Sequence, residues 1–116
     1  MIKKKDNAID TIIGKDTVVT GNINLIGNIL VYGKINGDIT TKGTITLATT
    51  AQIHGQLTGE DLNIGGTVEG NVKALGKLIL GEKAALNGDI KAAQIVIEDG
   101  AHFEGSCGMN IEKTSK

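Results

Sequence analysis

The stretch Leu62-Asn63-Ile64-Gly65-Gly66-Thr67-Val68-Glu69-Gly70-Asn71-Val72 sets the reading of the whole chain. Leu62 and Ile64 alternate with a polar residue, a small residue follows at Gly66, and the segment closes on the pattern apolar-x-Gly-x-apolar. Six copies of that closure occur: Val19-Thr20-Gly21-Asn22-Ile23, Ile35-Asn36-Gly37-Asp38-Ile39, Ile53-His54-Gly55-Gln56-Leu57, Val68-Glu69-Gly70-Asn71-Val72, Leu86-Asn87-Gly88-Asp89-Ile90 and Phe103-Glu104-Gly105-Ser106-Cys107. The glycines step by 16, 18, 15, 18 and 17 residues. Ahead of each copy lies an alternating pair: Thr11 and Ile13, Ile29 and Val31, Ile45 and Leu47, Leu62 and Ile64, Leu78 and Leu80, Ile95 and Ile97. A small residue, Thr17, Gly33, Ala51, Gly66, Ala84 or Ala101, stands four positions before each aligned glycine. Six units of about 17 residues therefore account for residues 11 to 107, and a fixed short period marks a repeat architecture.

Alternating residues point to opposite faces of a strand, so each unit supplies short strands with one buried and one solvated row. Apolar residues at helical spacing are not sustained anywhere, and β-branched enrichment also favours strands. One unit has too little apolar surface to bury a face alone, whereas stacked units align their inward residues into ladders. The fold expected is all-β: a single-stranded parallel β-helix, a triangular β-solenoid of about six coils. The recurring glycine belongs at a corner, where lack of a Cβ permits a tight bend or a positive φ. The absence of proline fits, because each coil needs its N–H groups for the ladder.

Composition narrows the function. The chain has 116 residues, enough for one domain, with 12 basic residues against 13 acidic and a net charge of -1. Every basic residue is a lysine, and a near-neutral chain without arginine forks argues against nucleic-acid binding. Aromatic content is 2% and tryptophan is absent, so the core must be aliphatic. Cys107 is the only cysteine, which excludes an internal disulfide framework and suits a reducing compartment. The longest run of large apolar residues is Ile29-Leu30-Val31-Tyr32, against the ~20 that span a bilayer. A cytoplasmic location is expected.

Catalytic and cofactor chemistry finds few carriers. His54 and His102 lie in different columns, each beside an inward apolar residue, so both are expected on the surface. A β-helix acyltransferase or zinc enzyme would need a general base or a histidine triad. Cys107 occupies an inward column and has no visible activating neighbour. No G-x-x-x-x-G-K-[ST] phosphate loop occurs, which argues against a nucleotide-driven filament. Asp38 and Asp89 follow aligned glycines, but Asn22, Gln56, Asn71 and Ser106 fill the same column elsewhere, so no calcium repeat is formed. No catalytic, cofactor-binding or metal residues are assigned.

The ends of the rod carry the functional expectation. A solenoid end exposes unpaired N–H and C=O groups and half-covered apolar residues, which are usually blunted by a cap. Neither 1–10 nor 108–116 shows an amphipathic helix long enough to cover a coil, and both are read as flexible tails. In the last unit Phe103, the only phenylalanine, replaces the aliphatic residue of its column. It can plug the terminal coil, pack across an end-to-end contact, or do both. Phe103, Ile95 and Ile97 at one end, and Ile13, Val19 and Ile23 at the other, are the expected polymerisation residues. Met1-Ile2-Lys3-Lys4-Lys5 is a basic tip on a body whose residues 9 to 112 hold seven lysines against twelve acids. Apolar side chains beside lysines suit an anionic membrane surface, weakly for one tip and strongly for many on one polymer; the alternative is a solubilising leader.

Laid out in this way, the chain resembles the bactofilins, bacterial polymer-forming cytoskeletal proteins. The units Ile29 to Ile39, Leu62 to Val72 and Leu78 to Ile90 carry the resemblance, which extends over residues 9 to 107. It implies a right-handed triangular β-helix that polymerises end to end, without nucleotide, into filaments lacking polarity. It also implies that an apolar residue in the final coil matters for assembly, the place held by Phe103. Many members carry a short N-terminal membrane-binding motif similar to Met1 to Lys5, with an aromatic where this chain has Ile2. Scaffolding of cell-wall enzymes or of cell shape at the inner face of the cytoplasmic membrane is the implied role. The competing reading is a monomeric β-solenoid module that binds a protein partner on a flat face.

Overall fold

The structure is a computed structural model that describes residues 9–109, with side-chain surroundings described for 11–106. Its strands are β1 Ile9–Ile13, β2 Val18–Thr20, β3 Ile23–Leu25, β4 Asn28–Val31, β5 Lys34–Asn36, β6 Ile39–Thr41, β7 Thr44–Leu47, β8 Gln52–His54, β9 Leu57–Gly59, β10 Asp61–Ile64, β11 Thr67–Glu69, β12 Val72–Leu80, β13 Ala85–Asn87, β14 Ile90–Ile97, β15 His102–Glu104 and β16 Cys107–Met109. No helix occurs among the described residues.

All pairings are parallel, and they build three faces. The first face stacks β1, β4, β7, β10 and the second halves of β12 and β14. The second face stacks β2, β5, β8, β11, β13 and β15. The third stacks β3, β6, β9, the first halves of β12 and β14, and β16. In the later coils the third face runs straight into the first, with a register shift in β12 between Ala74 and Lys77 marking the bend.

The columns read from the sequence are the columns of the fold. Thr11 pairs with Ile29, Ile29 with Ile45, Ile45 with Leu62, Leu62 with Leu78, and Leu78 with Ile95. Val19, Ile35, Ile53, Val68, Leu86 and Phe103 stack along the second face. In the middle of the rod these side chains are wholly buried, Ile35, Ile39, Ile45, Ile53 and Leu57 at 0% exposure. Each such burial is worth about 1.5–3 kcal/mol. The core is thus a set of aliphatic ladders whose one aromatic member among the described residues, Phe103, stands in the last rung.

The uneven period has two local causes, of which the smaller is the corner from the third face to the first: four residues in Leu25 to Ile29, Thr41 to Ile45 and Ala74 to Leu78, but three in Gly59 to Leu62 and Ala92 to Ile95. From the last inward residue of the first face to the second face takes six residues in Ile13 to Val19, Leu47 to Ile53, Leu80 to Leu86 and Ile97 to Phe103, but four in Val31 to Ile35 and Ile64 to Val68. The longer corners each close a turn: Thr17 N–H donates to Gly14 O at 3.1 Å, Ala51 to Ala48 at 2.9 Å, Ala84 to Gly81 at 3.0 Å and Ala101 to Glu98 at 3.1 Å. The glycine corner is invariant, always four residues from one inward side chain to the next, as from Ile35 to Ile39. Its glycines hold φ of +123° at Gly21 and +141° to +152° at Gly37, Gly55, Gly70, Gly88 and Gly105.

The third face has a second inward column that the sequence reading did not include. Leu25, Thr41, Gly59, Ala74 and Ala92 line it, and Thr41 is 4% exposed. Its hydroxyl donates to Gly27 O at 2.5 Å and accepts from Gly43 N–H at 3.1 Å. Thr41→Val keeps the shape and strands both backbone partners, so a loss of about 1–3 kcal/mol is expected. Chemical denaturation checks it, with Thr41→Ser close to wild type.

Candidate functional site

The two terminal rungs differ from every rung between them. Among the described residues, β1, β2 and β3 at the N-terminal end each pair on one side, with β4, β5 and β6. At the opposite end the second half of β14 pairs with β12, β15 with β13 and β16 with β14. A parallel edge strand offers N–H and C=O groups at alternate residues on its open side, so each end is a three-sided template for further pairing.

Side chains follow the same rule. Ile13, Val19, Ile23 and Leu25 are half-buried and pack on the core from one side only. Ile95, Ala101 and Phe103 do the same at the other end. Ile97 is 47% exposed, whereas Leu80, its partner one rung inward, is at 0%. The six residues expected to form the assembly contacts therefore sit in the two outermost rungs, three at each end. Phe103 stacks on Leu86, is half-buried, and has no rung on its other side among the described residues. Met1, Ile2, Lys3, Lys4 and Lys5 lie outside the described residues, as does the side chain of Cys107.

Charge distinguishes the ends. Residues 94–106 of the last rung hold Glu98, Asp99 and Glu104 and no lysine, while residues 11–25 of the first hold Lys15 and Asp16. A contact between two C-terminal ends gathers carboxylates; one between N-terminal ends does not.

The glycine corner keeps the rungs close enough to stack. A Cβ on Gly37, Gly55, Gly70, Gly88 or Gly105 would fall on the carbonyl oxygen of the corner glycine one rung below. Beside it runs a ladder of short polar side chains. Asn22 Oδ1 accepts from Asp38 N–H at 3.1 Å, and Asp38 Oδ1 from Gln56 N–H at 3.0 Å. Asn71 Oδ1 accepts from Asp89 N–H at 3.1 Å, and Asp89 Oδ1 from Ser106 N–H at 3.2 Å. The column after the aligned glycines thus satisfies backbone donors between rungs and is no calcium repeat. A similar pair occurs at the corner between the third and first faces, where Asn28 Oδ1 accepts from Thr44 N–H at 2.8 Å and Asp61 Oδ1 from Lys77 N–H at 2.9 Å. Short amide and carboxylate residues recurring after the glycine were the sequence sign of these ladders.

Both histidines are exposed on the second face. His54 Nδ1 lies 3.2 Å from Glu69 Oε1 of the neighbouring rung, and His102 belongs to the last rung. They stand apart, with no shared cleft.

Comparison with known proteins agrees with this architecture. The family model described as "Bactofilin: Polymer-forming cytoskeletal" matches residues 11–108. The chain is 30% identical over 104 residues to bactofilin BacO of Myxococcus xanthus, covering 90% of this chain and 82% of that one. It is 37% identical over 100 residues to bactofilin BacN of the same organism, covering 86% and 88%. Among solved structures it is similar to a Thermus thermophilus bactofilin reconstructed by cryo-EM as double helical filaments, with a TM-score of 0.82, 27% identity, and coverage of 86% of this chain and 99% of that chain. Six glycine-cornered coils, two open ends and a match across nearly the whole rod mean that the chain belongs to the bactofilin family of polymer-forming cytoskeletal proteins.

Proposed function

We propose that this chain is a cytoskeletal scaffold subunit whose rods join through their open ends into filaments that wind in pairs, as in the double helical filaments of the Thermus protein. The carrying observation is the pair of one-sided terminal rungs, with Phe103, Ile95 and Ile97 at one end and Ile13, Val19 and Ile23 at the other. Joining two ends buries these side chains and satisfies the open backbone edge together, so association gains both apolar burial and hydrogen bonds. Neither gain needs a nucleotide. Negative-stain electron microscopy of the purified chain, without nucleotide or metal, tests the reading: filaments are expected, and uniform small particles at high concentration would return the chain to the monomeric binding module.

If filaments lack polarity, half of their junctions bring two acidic C-terminal ends together. Screening shortens the Debye length from about 10 Å at 0.1 M salt to about 3 Å at 1 M. Raising salt is then expected to lower the critical concentration for assembly, measured by sedimentation; a rise would favour a head-to-tail order.

The filament is further proposed to lie at the inner face of the cytoplasmic membrane, held by the Met1 to Lys5 tips. Each basic residue near an anionic surface contributes about 1 kcal/mol, and a polymer multiplies the tips. Deleting residues 1–5 is expected to abolish co-sedimentation with anionic liposomes and to leave polymerisation intact; equal binding with and without them removes the membrane role. A membrane-bound filament is suited to localise cell-wall or morphogenetic proteins, which are its proposed partners.

A further inference from the structure

The three outer surfaces of the rod differ in chemistry. Apart from Val18, the second face exposes mainly polar residues such as Lys34, Gln52, His54 and Glu69, and the third exposes Thr40, Lys73 and Lys91. The first face has one polar outward column, Asn28, Thr44, Asp61, Lys77 and Gln94, but the column beside it reads Ile12, Leu30, Thr46, Asn63, Ile79 and Val96 in successive rungs. Ile12 is 61% exposed and Val96 42%, while Leu30 and Ile79 are half-buried. The order is palindromic: two apolar, two polar, two apolar.

We propose that this surface is the lateral contact between paired filaments, and that its occupant is a second copy of this chain seated antiparallel on it; the proposal rests on the filament reading above. A two-fold axis across the middle of the column sets Ile12 opposite Val96, Leu30 opposite Ile79 and Thr46 opposite Asn63, apolar on apolar and polar on polar. An isologous contact requires such self-complementarity. The adjoining column supports the same seating. It runs Tyr32, Ala48, Gly65, Gly81 and Glu98, and the axis lays the 40% exposed Tyr32 ring over the Gly81 of the second copy. The apolar residues stand in the outer rungs, so end-to-end joining makes them continuous from one subunit to the next along the filament.

Size explains why the contact belongs to filaments and not to free subunits. Six rungs at ~4.8 Å by four residues at ~3.3 Å give roughly 380 Å² per copy, below the ~800 Å² per partner of a stable pair. Repetition along a polymer supplies the remainder through avidity.

Electron microscopy of the full chain tests it, using the double variant Leu30→Lys with Ile79→Lys, the milder Thr46→Arg, and Thr40→Arg on the third face as control. Wild type and the control are expected to give paired filaments, and the first-face variants single ones, with unchanged circular dichroism melting. Should the double variant not fold, Thr46→Arg decides. Paired filaments in the folded first-face variants, or single filaments in wild type, overturn the lateral contact while end-to-end polymerisation stands; no filaments in wild type overturns that reading as well. Loss of liposome binding with pairing intact overturns the proposal and reassigns the surface to membrane.

Discussion

Phe103→Arg is expected to abolish filaments and leave a folded rod. In the free subunit Phe103 is covered on one side by the core and has no rung on the other among the described residues, so an arginine can turn its guanidinium to water and lose mainly packing against Leu86. Across a junction that escape closes. The charge must leave water within the inward apolar columns, while the carboxylates of Glu98, Asp99 and Glu104 lie on the exposed surface, which costs several kcal/mol, or the ends must stay apart. The loss recurs at every junction formed by a C-terminal end, so even a few kcal/mol raises the critical concentration by orders of magnitude. Sedimentation and electron microscopy read the assembly, and circular dichroism melting reads the fold. Long filaments from a folded Phe103→Arg protein would show that this end does not make the contact. Ile97→Asp, at a side chain 47% exposed in the subunit, is a second probe of the same end.

Gly70→Ala is expected to unfold the middle of the rod, while Gly21→Ala does much less. Both glycines have φ in the region that L side chains avoid, +146° and +123°, at a cost of about 1–3 kcal/mol each. Only Gly70 adds a collision, since its Cβ would stand 2.6 Å from the Gly55 carbonyl carbon. That neighbour is backbone in the adjoining ladder and can yield only by separating two rungs. A total near 4 kcal/mol or more is expected for Gly70→Ala, toward the upper limit for single substitutions. Gly21 lies in the first rung and a Cβ there meets nothing within 4 Å. Denaturant unfolding in the filament-deficient Phe103→Arg background measures both. Equal losses would mean that φ alone selects glycine in this column.

The repeat was legible because the apolar columns that define it are covalently encoded at a nearly fixed spacing. Once Ile29 and Val31 are aligned with Ile45 and Leu47, a parallel solenoid is the economical way to bury them all, and the observed pairing follows. The glycine column was legible for the same reason, since one residue type recurring at one place in every unit points to a shared backbone requirement. The second inward column of the third face was not. Thr41, Gly59, Ala74 and Ala92 are small or polar, so a pattern of large apolar residues passes over them, and their burial arises from the crowding of three converging faces.

The polar ladders were hidden differently. Asp38 and Gln56 are 18 residues apart along the chain and become hydrogen-bonded neighbours only when the coil closes. A carboxylate read along the chain suggests a free ligand; read across rungs it is a backbone acceptor. By itself the sequence determined the coil, its period, its large apolar inward columns and the family, because each depends on local alternation repeated in register. Tertiary structure alone decided which inward residues are left half-covered, and that one outward column of the first face carries apolar side chains at both ends. Exposure is a property of what lies one rung away in space, and the chain meets that neighbour only after folding.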